Sequence, residues 1–522
     1  MQPSVWQPPV EPSPAEQAIL KRIRRAKLFV FLRRIRHQLF DAAFQSELAG
    51  IYKDSPCGQP PIPPAQLALA TVLQAYTGIS DDETIEVLTM DRRWQMVLDC
   101  LDCEEAPFGK ATLIRFRQAL IAHGLDRRLI ERTIELATSD GGFGSRALRA
   151  ALDSSPLWGA GRVEDSFNLL GHAMRKALRI MVCQTGVGLA QWAEQTGTTL
   201  VAGSSLKAAL DIDWSQPDEC AEALGRLLGA LESLESYLDG QTQPPQAGVA
   251  RCLQAAEQVH QQDVQLNSRG QFVLRRGVSR ERRISIEDPA MRHGRKSRAV
   301  RIDGYKRHVL KDIDSGLVRA VGITAANRPE AAVTRDIEAD LEPQRVKLIE
   351  LHIDRAYLSS EWVRLRPEDL RIYCKAWPVR NGPYFQKTAF VLDWEAMRIR
   401  CPQGVTQPFE VGGKVRFPAA RCRRCPLQER CTTSPKGRSV SIHPDELLLV
   451  ELRERQQTKE GRAKLRERVS VEHSLAHIGQ WQGRRARYLG VRKNLFDLRR
   501  VAVVHNLHVL ARQEAAGRSQ AA

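Results

Sequence analysis

Two strand-like runs lie far apart in the chain, each closes on an aspartate, and together they constrain the fold more than any other feature. Ala147-Leu-Arg-Ala-Ala-Leu-Asp-Ser-Ser-Pro156 reads as a strand that ends on Asp153 and is followed by a turn. Val346-Lys-Leu-Ile-Glu-Leu-His-Ile-Asp354 sets Ile349, Leu351 and Ile353 against Glu350, His352 and Asp354, the period-two pattern of a half-buried strand. Between them, residues 173–192 and 221–238 are amphipathic at helical spacing. Further strands are expected at 299–310 and 317–323, joined by the hairpin signal Asp314-Ser-Gly316, and at 371–375. Such an order specifies an α/β fold whose sheet carries a large helical insertion, at about 165–290.

Open α/β sheets collect their ligands at strand ends, where Asp153 and Asp354 both fall. A third carboxylate lies in Arg466-Glu-Arg-Val-Ser-Val-Glu-His-Ser-Leu-Ala-His-Ile-Gly-Gln480, which reads as one helix. In that reading Glu472 sits inside an apolar stripe formed by positions 465, 469, 472 and 476, where a carboxylate needs a cation. Arg468, one turn back, can supply it. Three carboxylates from distant points suit a pair of oxygen-seeking Mg²⁺ ions acting on a phosphodiester. Asp288, Asp303 and Asp312 compete on the same grounds, and chemistry alone does not choose among them.

The balance of 78 Lys and Arg against 61 Asp and Glu gives a net charge of +17, which favours a polyanionic partner. Much of this charge is clustered. Residues 21–36 hold eight Lys and Arg and no acid, interleaved with Leu28, Phe29, Phe31, Leu32 and Ile35, and read as a basic amphipathic helix. The Pro-rich residues 1–15 are expected to be disordered and residues 16–140 to form a helical DNA-binding domain. Within it, Ser80-Asp-Asp-Glu83 is a capping box and Thr112 is expected to cap a helix over 113–120. No apolar run is long enough to span a bilayer, and the N-terminus lacks the charged and apolar regions of a signal peptide, so a cytoplasmic location is expected.

Of eleven cysteines, Cys401, Cys422, Cys425 and Cys431 share one stretch, with Cys422-Arg-Arg-Cys425 as a tight pair. Four thiolates match tetrahedral Zn²⁺, so residues 396–440 are expected to form a structural zinc knuckle. Cys57, Cys100, Cys103, Cys183, Cys220, Cys252 and Cys374 are scattered and read as small buried hydrophobes.

Seven short motifs occur in a fixed order: Ala151-Leu-Asp-Ser-Ser-Pro156, Asp288-Pro-Ala-Met-Arg-His-Gly-Arg-Lys-Ser297, Asp303-Gly-Tyr-Lys-Arg-His308, His352-Ile-Asp-Arg-Ala-Tyr357, Arg468-Val-Ser-Val-Glu472, Arg485-Ala-Arg-Tyr-Leu-Gly490 and His505-Asn-Leu507. In this the chain resembles bacterial insertion-sequence transposases of the DDE class, over about residues 30–512. The resemblance implies a ribonuclease-H-like catalytic fold over 146–395 and 441–512, with residues 513–522 as a disordered tail. It implies Asp153, Asp354 and Glu472 as the metal-binding triad, with Mg²⁺ or Mn²⁺ as the ions, and Arg468 at a DNA phosphate or supporting Glu472.

Related families keep a tyrosine seven residues before that glutamate and a lysine seven after it, where this chain has Leu465 and Gly479. Lys306, Lys375, Arg485, Arg487 and Lys493 are the basic residues available for DNA in their stead. The activity implied is binding of terminal inverted repeats, cleavage that frees a 3′-hydroxyl, and in-line attack of that hydroxyl on target DNA. The partner is double-stranded DNA, and holding two ends implies a homodimer. A nuclease without strand transfer and a catalytically inactive DNA-binding repressor are the alternatives.

Overall fold

The computed structural model describes residues 2–54, 59–138, 143–144, 147–296 and 299–521. It is a mixed α/β structure built on a curled six-stranded sheet: β1 (Ala147–Trp158), β2 (Arg292–Arg295), β3 (Arg301–Asp312), β4 (Val318–Ala325), β5 (Lys347–Ile353) and β6 (Arg371–Tyr373). The order is β2–β3–β1–β5–β6, with β4 also pairing β3. β1, β5 and β6 are parallel, whereas β3 runs antiparallel to β1, β2 and β4.

Alternation along β1 divides the packing. Ala151 and Leu157 face a core shared with Tyr305 and Val309, whereas Leu148, Ala150 and Leu152 face a second core with Leu310, Leu351 and Ile353. Helices from Pro14–Arg22 to Leu125–Glu135 join the first core, together with the helices Val469–Gln482 and Val491–Ala521. The inserted helices, chiefly Ser166–Thr185, Pro217–Asp239 and Ala247–Asp263, enclose a separate core around Leu170, Leu227 and Val259. Phe390, Ile399, Phe409, Phe417 and Val440 form a fourth, small core beneath the cysteine-rich stretch.

Several elements differ from the sequence expectation. β1 does not end on Asp153; residues through Trp158 pair with β3, as Pro156 does with Lys306. Pro156 is tolerated because β5 has already ended, leaving that side of β1 without a ladder to fill. β5 is buried on both faces near its C-terminal end, since the helix Lys459–Glu467 covers its polar side. The basic stretch 21–36 is two helices, Pro14–Arg22 and Lys27–Leu39. Two of its arginines point inward: Arg33 bonds Glu16 at 2.5 Å, and Arg36 donates to the Met96 carbonyl at 2.7 Å.

The segment expected as a loose N-terminal tail is packed, with the Trp6 indole against Phe40 and its backbone N–H donated to Gln45 at 2.7 Å. The C-terminal residues expected as a tail continue the helix to Ala521, held where Gln513 donates to the Ser315 carbonyl at 3.1 Å. The capping box at Ser80 and Glu83 forms as expected, but the helix expected to be capped by Thr112 starts earlier, at Lys110. Of the scattered cysteines, Cys100, Cys252 and Cys374 are buried, Cys103 and Cys183 are exposed and Cys220 is intermediate, while Cys57 lies outside the described residues. Among the described residues no helix is long and apolar enough to cross a membrane.

Candidate active site at the end of the parallel strand pair

The parallel ladder between β1 and β5 closes on the pair Leu152 and Ile353. Asp153 and Asp354 are the next residues on each strand, so the ladder delivers two carboxylates side by side where pairing stops. Asp153 accepts the Ser154 N–H at 2.8 Å, and Asp354 caps the short turn Arg355–Tyr357 by accepting the Arg355 N–H at 2.7 Å. Both side chains are thereby held by their own backbone.

Glu472 reaches the same place from the helix Val469–Gln482. The expected single helix over 466–480 is in fact broken, and Arg468 stands at the junction between Lys459–Glu467 and Val469–Gln482. Positions 469, 472 and 476 share one face of the second helix, but it is the exposed face and not a buried apolar one. Val471, Leu475 and Ile478 go inward, and Glu472 and Val469 are exposed. Glu472 therefore stands at the rim of the core and not inside an apolar face.

Arg468 ties the acids together, donating to Asp153 at 2.5 Å and to Glu472 at 2.6 Å. Burial raises the Asp153 carboxyl above its ordinary range against the opposing pull of Arg468 and the Ser154 N–H, and the charges of Glu472 and Asp354 push it the same way. Arg468 is itself raised: burial works against its charge, but Asp153, Glu472 and Asp354 outweigh it. Three carboxylates thus face one cation.

Their oxygens suit a hard divalent ion, although with Arg468 among them the three do not all lie within 4.8 Å of one another. The described residues that do meet that spacing are Glu350, His352 and Glu467. That group is already neutralised. Arg149 bonds Glu350 at 2.8 Å and also pairs with Glu467, and Lys464 bonds Glu350 at 3.1 Å. Burial lowers the pKa of His352, which stacks on Tyr373. We therefore read it as a clamp that fixes the helix before Arg468 onto β5. Sequence reading missed this clamp, though the alternation Glu350, His352, Asp354 along one strand face was its signal.

The other basic residues expected at DNA are dispersed. Arg487 donates to the carbonyls of Gly78 and Ile79, and Arg485 to those of Gly159 and Ala160. Lys375 is exposed near the acids, its carbonyl accepting from Arg355 at 3.3 Å. Lys493 is exposed on the last helix, and Lys306 lies further along β3. Cys401, Cys422, Cys425 and Cys431 line one cavity of about 430 Å³. Burial raises the Cys431 thiol, and the other three cysteines add to the rise. No three of these sulfurs lie within 4.8 Å of one another, so the cluster is wider than a zinc tetrahedron.

Residues 400–511 match the family described as Transposase DDE domain, and residues 18–119 match the one described as Transposase domain (DUF772). Both matches are to transposase domains, and together they support an insertion-sequence transposase of the DDE class. The first match contains Arg468 and Glu472, whereas Asp153 and Asp354 lie outside both. No curated protein and no solved structure matches the chain. DDE transposase domains in general use divalent metal ions, in keeping with an oxygen-rich site.

Proposed function

We propose that this transposase binds the terminal inverted repeats of its element and catalyses DNA cleavage and strand transfer at Asp153, Asp354 and Glu472. The observation that carries the reading is the convergence on Arg468 of two side-by-side strand aspartates and a helix glutamate. The strand order supports a ribonuclease-H-like core, since the antiparallel set β1 to β4 precedes β5 and β6, which run parallel to β1, and the acids stand at the end of the β1–β5 pair.

Two Mg²⁺ ions, or Mn²⁺ in their place, held by these carboxylates would neutralise the phosphate and steady the attacking and leaving oxygens. The chain's own contribution is position and charge. β1 and β5 fix two carboxylates in register, the clamp at Glu350 and Glu467 sets the third, and Arg468 offers a guanidinium fork to the phosphate. No covalent link between protein and DNA is needed. Pairing two ends calls for a homodimer. Bound Zn²⁺ would draw Cys401, Cys422, Cys425 and Cys431 together as a structural knuckle.

The test incubates purified protein with labelled terminal-repeat DNA, Mg²⁺ and a target plasmid. Joined product supports the reading, whereas nicked ends alone indicate a nuclease and a mobility shift without cleavage indicates a repressor.

A further inference from the structure

Beyond Asp153 the sheet continues outward, and its far end carries charge that the acid site does not use. A cavity of about 470 Å³ opens between β2, the start of β3, residues 278–282 and the turn at 326–329. Arg280, Arg282, Arg295, Arg301, Lys306 and Arg328 line it, and no carboxylate does. The nearby acids each engage at least one of the lining side chains. Asp263 holds Arg282 at 3.0 Å, and Asp303 holds His293 at 2.5 Å and Arg301 at 3.4 Å. Glu330 lies 3.8 Å from Lys306, and Glu281 lies 3.9 Å from Arg328 and 3.6 Å from Arg292. Arg280 and Arg295 are exposed and have no ion-pair partner among the described residues. The lining therefore keeps an excess of positive charge around one concavity, which concentrates counter-anions there.

The shape of the excess says what kind of anion fits. Five of the six cations are guanidinium forks, which match phosphate oxygens in pairs. From Arg301 to Lys306 the cations extend over ~17 Å at the rise of a strand, longer than one phosphate and suited to a run of them. The wall is closely built, because a Cβ at Gly294 would meet the Ala326 carbonyl oxygen at 2.2 Å, so only glycine lets β2 and the turn close together.

Position ties the cleft to the acids. Val309 of β3 lies opposite Asp153, which places Lys306 ~10 Å and Arg301 ~27 Å further along the same strand. Both distances fall within one helical turn of duplex DNA, ~34 Å. Resting on the proposed DNA cleavage at Asp153, Asp354 and Glu472, we infer that this cleft binds the phosphodiester backbone of DNA flanking the cleaved bond, within one helical turn of it.

The test measures binding of fluorescent terminal-repeat duplex by the full-length protein over a salt series, without divalent metal, for wild type and the triple variant R280A/R295A/R328A. The variant is expected to bind ten-fold or more weakly, and its slope of log affinity against log salt should fall by about 2–3, near 0.9 for each phosphate no longer neutralised. Trimming the duplex to less than one turn beside the cleaved bond should weaken wild type to the variant's level and leave the variant unchanged. R280K/R295K/R328K should restore the salt slope. A triple variant that melts like wild type yet keeps its affinity and slope would overturn the assignment, as would equal sensitivity of both proteins to trimming. A duplex RNA that binds through the same arginines more tightly than DNA would also overturn it. If wild type cleaves the DNA while the triple variant binds as well as wild type, the cleft assignment alone falls. If wild type neither binds nor cleaves, the reading beneath it falls as well.

Discussion

The Arg468 guanidinium donates to the Asp153 carboxylate at 2.5 Å, although the two residues lie on opposite sides of the helical insertion. Its other arm reaches Glu472 at 2.6 Å, so one side chain spans the strand and helix contributions to the site. This contact gives the acid site a definite electrostatic behaviour.

Asp153 is raised by burial and held down by Arg468. Removing the guanidinium in Arg468→Ala lifts the Asp153 carboxyl further, so a cleavage reaction that needs the carboxylate loses activity at a higher pH than in wild type. A pH–rate profile checks this: the acid limb should move toward neutrality in Arg468→Ala and stay nearer its original place in Arg468→Lys. An unmoved limb in Arg468→Ala would break the link between the two residues.

The clamp on β5 predicts an effect at a distance. Arg149, Lys464 and His352 hold the Glu350 carboxyl down at about 2 against the opposing effect of burial. Glu350→Gln should cost ~1.5–3 kcal/mol in denaturant unfolding, the scale for hydrogen bonds to charged groups. It should also lower the cleavage rate at saturating DNA, because the helix that presents Arg468 loses its anchor. Lost stability with an unchanged rate would restrict the clamp to folding.

Buried histidines set the acid stability. Burial lowers His308 to about 3 and His505 to about 4. An unfolded chain protonates them near ~6.5, so it binds more protons than the folded one between that value and the folded ones. The stability they contribute is complete above about 6.5 and is lost as the pH falls, by up to ~1.4 kcal/mol per pH unit for each. Asp340, pushed up to about 6 by burial, acts in the opposite sense between its unfolded value and 6. Thermal melts from pH 7 to 4.5 should fall steeply for wild type and less so for a His308→Gln, His505→Gln double variant. Parallel curves would contradict the assignment.

Much of this was legible in the sequence, for identifiable reasons. β5 carries its own alternation in sequence, and the turn at Asp314–Gly316 fixes the hairpin between β3 and β4. Asp153, Asp354 and Glu472 were singled out among several acids by the resemblance, and the fold brings Asp153 and Glu472 onto Arg468. The full length of β1 was not, since the Ser-Ser-Pro composition reads as a turn and only pairing with β3 overrides it. The break at Arg468 was hidden because nothing in the local sequence ends a helix there. The inward arginines Arg33 and Arg36 look like surface charge until Glu16 and the Met96 carbonyl are brought to them by the fold.

The proposed knuckle requires a bound metal that draws the four thiols closer than they stand in the structure. Purified protein should carry about one zinc per chain, and Cys425→Ser should release it and lower the melting temperature. Zinc well below one equivalent, with melting unaffected by chelator, would leave the four thiols as packing residues of the small core.

The most direct test of the central claim is strand transfer of labelled terminal-repeat DNA into a plasmid in the presence of Mg²⁺, comparing wild type with Asp153→Asn, Asp354→Asn and Glu472→Gln. The account predicts joined product from wild type and a loss on the order of 10³-fold in each variant, the scale of removing a direct charge partner of the reacting centre, with DNA binding retained. Joined product at the wild-type rate from any one variant would contradict it.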